Sequence, residues 1–254
     1  MDLFNNLIQP QSGHHLELIE YLLILGKIIL LIYAGVLFGR IIFSVYFIFM
    51  SGKKKDSRNA KLARDFIDLI TSYKMFGFGL GIVPFLSSTL IYSQLLYNSE
   101  TKVVEYMLFA FLLFIVSQVL IYVYKHSLHL KSILTYYQDK IPEESEEFSK
   151  DFKYYAGASR EANNRSAVWG IIFLLGSLWI FVSASNLAVD QSLWDENFSM
   201  FWAMISTKSL MKFMHFLTAG IALTGMAFIV KIFFWDKYIK TGDEEYTKYA
   251  KKFN

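Results

Sequence analysis

Cysteine is missing from this chain of 254 residues. Its absence excludes disulfides, thiolate-ligated iron–sulfur clusters and the C-x-x-C-H attachment of a c-type haem, so any haem here is held without covalent links, by axial side chains alone. Lys and Arg are missing from Met1 to Glu20. A secretory signal needs a positively charged region ahead of its apolar segment, so no removable signal peptide is expected. An internal repeat and a matched pair of interrupted apolar segments are missing as well, which argues against a secondary transporter.

Apolar residues are abundant: 54% of the chain is hydrophobic and 18% aromatic. They fall in blocks, and a block of about 18 or more apolar residues crosses the roughly 30 Å hydrocarbon layer as a helix. The clearest are YMLFAFLLFIVSQVLIYVY (106–124), AVWGIIFLLGSLWIFVSASNLAV (167–189) and FMHFLTAGIALTGMAFIVKIFFW (213–235). Two more are KMFGFGLGIVPFLSSTLIYSQLLY (74–97) and the stretch 21–50, which Lys27 and Arg40 interrupt. The expected organisation is one membrane domain over 1–254, with spans at 18–50, 66–98, 103–125, 166–189 and 210–236 and a polar connector at 126–165.

Basic residues crowd SGKKKDSRNAKLARD (51–65), the polar stretch 125–165 and the tail after Trp235. Cytoplasmic loops collect such charge, which places the N-terminus outside and the C-terminus inside. The net charge of +3 then reports topology at membrane borders, not nucleic-acid binding. Between the last two spans, Trp194, Phe198, Phe201, Trp202 and Ile205 recur at helical spacing, predicting a helix in the outer interface over 190–207.

Five histidines are the candidate ligands. His14 and His15 precede the first span, His126 and His129 share one face at the end of the third, and His215 opens the fifth. The 126/129 pair is half of a metal site with no evident second half, so an interfacial pair without metal is the plainer reading. An ionisable residue within a span tends to mark a site. His215 continues into Thr218, Ala219, Ala222 and Gly225, small residues that admit either a flat ring or a second helix. Gly77 and Gly81 read as a helix-packing spacing.

The segment KFMHFLTAGIALTGMAFIVKIFFWDKYIKTGDEEYTKYAKKF resembles the fifth helix of the large subunit of cytochrome bd quinol oxidases, which opens with Lys-Phe-x-His. KMFGFGLGIVP (74–84) is similar to that family's second helix and GSLWIFVSAS (176–185) to its fourth, and the agreement in order runs over all five spans. The resemblance implies an all-α integral membrane protein, a cytochrome bd-like bundle of five transmembrane helices in a bacterial cytoplasmic (inner) membrane. It also implies that His215 is an axial ligand of haem b.

Departures from the family narrow the expectation. Lys27 falls where the family has the histidine of its oxygen-reducing haem, and a protonated lysine has no lone pair for iron. Glu105 falls on the first of two family glutamates, while Leu113 replaces the second. Lys27 reads first as a snorkelling side chain, and second as the partner of Glu105 or of a haem propionate. The second axial ligand would come from Met107, His14 or His15, or from another subunit. The expected function is a haem b-binding electron-transfer subunit of a respiratory complex, not an oxygen-reducing oxidase by itself, with quinone as a further candidate cofactor. Its expected partners are membrane lipid, other membrane subunits completing the bundle and a c-type cytochrome on the outer side. A haem-free membrane anchor is the alternative.

Overall fold

The computed structural model describes residues 13–54, 57–69, 74–96, 101–138, 146–190 and 200–235, all but a few of them helical and none of them in a strand. Helices α1 (Gly13–Lys54), α2 (Ser57–Ile67) and α3 (Lys74–Gly77) lead into a π-helical turn (Phe78–Ile82) and α4 (Val83–Leu95). Then follow α5 (Val103–Gln138), α6 (Glu146–Val189), α7 (Met200–Ile205) and α8 (Thr207–Val230), which runs into a second π-helical turn (Lys231–Trp235). Five of these segments are long and apolar enough to cross a membrane: Gly13–Gly52, Met75–Leu95, Val103–Lys131, Lys150–Val189 and Thr207–Phe233. The chain is a multi-pass membrane protein.

The helices depart from the expected spans at three places. Residues 57–67 form a separate amphipathic helix, α2, which buries Leu62, Ala63, Phe66 and Ile67 and carries Arg58, Lys61 and Arg64 on its other side. Its Phe66 ring stacks on Phe228 of α8 at 3.8 Å between centroids, with Phe43 and Phe47 of α1 beside it, so α2 lies across the ends of both helices. The expected connector at 126–165 is largely a continuation of α5 and α6 as an antiparallel hairpin. Polar pairs close that hairpin: Asn163 Nδ2 donates to Ser127 Oγ (3.2 Å) and Ser159 Oγ to the Ser127 carbonyl (3.1 Å). In the expected interfacial helix, Met200–Ile205 is helical with Phe201 and Trp202 exposed, while Trp194 and Phe198 lie outside the described residues.

In lipid, helices associate by close packing where small residues let backbones approach. Here that contact is between α1 and α8. A Cβ added to Gly220 would lie 2.9 Å from Gly35 Cα, and one added to Gly39 would overlap the Thr224 side chain. Thr224 Oγ1 donates to its own helix at the Gly220 carbonyl (2.7 Å), which keeps its hydroxyl satisfied inside the contact. Gly81 makes the other close approach: its missing side chain leaves room for the ring of Tyr33, and Phe114 closes the same spot.

The π-helical turn at Phe78–Ile82 precedes Pro84. Proline lacks an N–H and its ring clashes with the carbonyl four residues back in a regular helix. The Val83 N–H instead reaches the Phe78 carbonyl, so the extra residue absorbs the misfit without breaking the span.

Candidate functional site

The start of α8 is anchored before it reaches its histidine. Ser206 caps the helix by accepting from the Ser209 N–H (3.3 Å). Lys212 Nζ donates to Asn186 Oδ1 of α6 (2.5 Å), and Asn186 Nδ2 donates to Ser209 Oγ (2.9 Å). Phe213 stacks on Trp179 of α6 at 5.5 Å and 10°, and Trp179 Nε1 donates to the Met204 carbonyl (3.1 Å). Phe213 thus turns the start of one face of α8 onto α6, and Gly220 and Thr224, seven and eleven residues on and so on the same face, turn its continuation onto α1.

At about 100° per residue, His215 lies nearly opposite Phe213 on the helix circumference. It is exposed, as are Thr218, Ala219 and Ala222 below it, and Gly225 has open space where a Cβ would stand. Met211 and Met226, at 67% and 65% exposure, bracket the strip. Among the described residues no side chain bonds the His215 ring. Among the described residues the strip of small side chains therefore serves no packing, and the packing that the sequence suggested for it is made by Gly220 and Thr224, about half a turn away on the opposite face. An exposed imidazole above small side chains offers one nitrogen as a ligand and an open surface beside it.

The other candidate residues lie elsewhere. Gly35 meets Gly220 and Gly39 meets Thr224, so α1 and α8 run parallel with a register offset of 185. His215 is then level with Leu30, and His15 stands fifteen residues further along α1, about 22 Å at 1.5 Å per residue. His14 and His15 are exposed in the first turn of α1, where His14 approaches Glu17 at 3.9 Å. Met107 is wholly buried in the main core on α5, a helix that makes no extensive contact with α8. None of these three is brought to His215.

Lys27 is half-buried, and its ammonium donates to the Tyr92 hydroxyl of α4. Glu105 is exposed in the first turn of α5, and no bond joins the two among the described residues. At the far end of the third span, His126 packs edge-on to Tyr122 at 4.4 Å, whereas His129 Nε2 meets both oxygens of Asp68 at 3.1 Å. Lys125 Nζ reaches the same carboxylate at 3.0 Å. Burial on its own would raise the Asp68 pKa. The hydrogen bonds and charges of His129 and Lys125 outweigh burial and hold the carboxyl below its ordinary range.

Asp68 and Arg40 are the polar residues that the sequence reading missed as a pair. Arg40 is buried, donates from Nη1 to the Leu69 carbonyl (2.9 Å) and lies within electrostatic reach of Asp68. The available signal was the charge at Arg40 inside an apolar run, since such a charge in lipid requires a partner. Among the described residues no group of three His, Asp or Glu side chains converges as a metal site. Comparison of the chain with family models, with curated proteins and with solved structures finds no match.

Proposed function

We propose that this chain is a haem b-binding electron-transfer subunit of a cytochrome bd-like membrane complex. The observation that carries the reading is the orientation of α8: Lys212 and Phe213 fix the helix to α6 while His215, Thr218, Ala219 and Ala222 face away from the bundle. His215 would hold a haem on that strip through Nε2 or Nδ1, with Thr218, Ala219 and Ala222 beneath its ring, and the residues present fit that one contact. A second ligand would then have to come from an adjoining subunit, because His14, His15 and Met107 are out of reach. Haem bound there supplies one-electron transfer. The chain would contribute the His215 nitrogen, the bed of small side chains and a helix held at two levels along its opposite face.

In the same reading the start of α1 lies outside and the end of α8 inside a bacterial cytoplasmic membrane. The Lys- and Arg-rich connection at 51–65 supports this orientation. His215 then sits toward the outer side, where a c-type cytochrome can exchange electrons with it; quinone is the candidate partner within the membrane. Lys27, bonded to Tyr92, stands where the resembled family has an iron-binding histidine, so oxygen reduction by this chain alone is not part of the proposal.

The distance of every internal second-ligand candidate from His215 favours one other reading, a haem-free anchor whose α8 face binds a partner subunit. A dithionite-reduced minus oxidised spectrum of the purified complex separates the two. A b-type spectrum present in the unaltered protein and absent in His215→Ala supports the haem reading. No haem in the folded complex leaves the anchor.

A further inference from the structure

A second site lies at the other end of the bundle, and it does not depend on haem. Between the π-helical turn and α5 is a cleft of about 290 Å³. Its inner wall carries Tyr33, Arg40, Gln118 and Lys125, and its rim is apolar, with Phe78 and Val119 turned outward from the bundle at 59% and 58% exposure. π-turns recur at functional sites because they re-aim one wall of a helix.

Two donors on that wall lack acceptors. Tyr33 Oη donates to Gln118 Oε1 (3.1 Å), which commits the amide oxygen and leaves Gln118 Nε2 buried without a partner. Arg40, 2% exposed, uses Nη1 on the Leu69 carbonyl while its Nε is buried without a partner. Buried donors normally find acceptors, and each one missing costs about 1–3 kcal/mol. The charges point the same way. Arg40 and Lys125 bring two positive charges to the wall and Asp68 one negative, and His129, also on Asp68, can only add to the surplus.

We infer that this cleft binds the phosphate of an acidic phospholipid. The anion offsets the surplus charge and accepts from Arg40 and Gln118, and the acyl chains leave over the apolar rim into the bilayer. Free inorganic phosphate shares the head-group chemistry but has nothing to place on Phe78 and Val119.

Native mass spectrometry of the delipidated full chain in detergent tests this with phosphatidylglycerol, phosphatidylcholine and inorganic phosphate as probes. Phosphatidylglycerol is expected to survive collisional activation that strips phosphatidylcholine. Gln118→Leu removes a donor to a charged group and should weaken its retention about tenfold. Val119→Trp, which leaves the polar wall intact and fills the opening, should weaken it similarly. Equal retention of the two lipids, or a phosphatidylglycerol preference unchanged in either variant, overturns the inference. A phosphate adduct that phosphatidylglycerol does not displace overturns the lipid assignment.

Discussion

Gly35 and Gly220 meet backbone against backbone: a methyl group on Gly220 would stand 2.9 Å from Gly35 Cα. Real Cβ atoms do not approach a neighbour's backbone so closely, so both positions require glycine for room rather than for a special backbone angle.

Gly220→Val should therefore lower the melting temperature in detergent, with an overpacking cost of about 1–3 kcal/mol. The adjacent Ala219→Val faces outward and should change stability by no more than about 0.5 kcal/mol. Equal losses in the two variants would mean that α8 is rotated from the position described.

Ala222→Phe places a ring on the strip below His215. It should abolish the b-type difference spectrum while leaving the melting of the haem-free protein unchanged. A normal spectrum in this variant would place the haem, if one is present, away from the outward face of α8.

Asp68 supplies a pH dependence with a definite sign. Its carboxyl is held below the ordinary 3.8 in the folded state, so its stabilising contribution is complete well above that pH and fades as pH falls through the lower folded value. The melting-temperature gap between the unaltered protein and Asp68→Asn should narrow as pH falls below about 4. A gap that stays constant below about pH 4 would show that Lys125 and His129 do not stabilise the carboxylate.

Asn186→Leu leaves Ser209 and Lys212 without their shared partner. A loss of about 1 kcal/mol is expected. Steady-state fluorescence should report the opening of the Trp179–Phe213 stack as a red shift; a stability loss without that shift would confine the effect to the hydrogen bonds.

The five crossings are legible in the sequence because a span announces itself by length and apolarity alone. Helix faces are less legible, because a helix that is apolar all round has no polar side to mark its outside. That is why Thr218, Ala219 and Ala222 admit a second helix as readily as a flat ring in the sequence, though Gly220 and Thr224 make the helix contact. Gly35 and Gly39 were equally visible as a four-residue spacing, but their partner lies 185 positions away and nothing local names it. Residues 66 and 67 read as the start of a span because their apolarity was counted along the chain, whereas α2 spends it against Phe228 and Phe43. His215 was visible as an ionisable residue at the head of an apolar run. Its separation from Met107, His14 and His15 follows from the register between helices, which no single segment encodes.

The parallel contact of α1 with α8 also has a temporal meaning. The residues between Gly35 and Gly220 take about ten to forty seconds to synthesise at 5–20 residues per second. Throughout that interval the notch in the first helix has no fifth helix to receive, and lipid or an assembly factor must occupy it. Closure of the bundle is thus a late event in the birth of the chain, set by when Thr224 enters the bilayer.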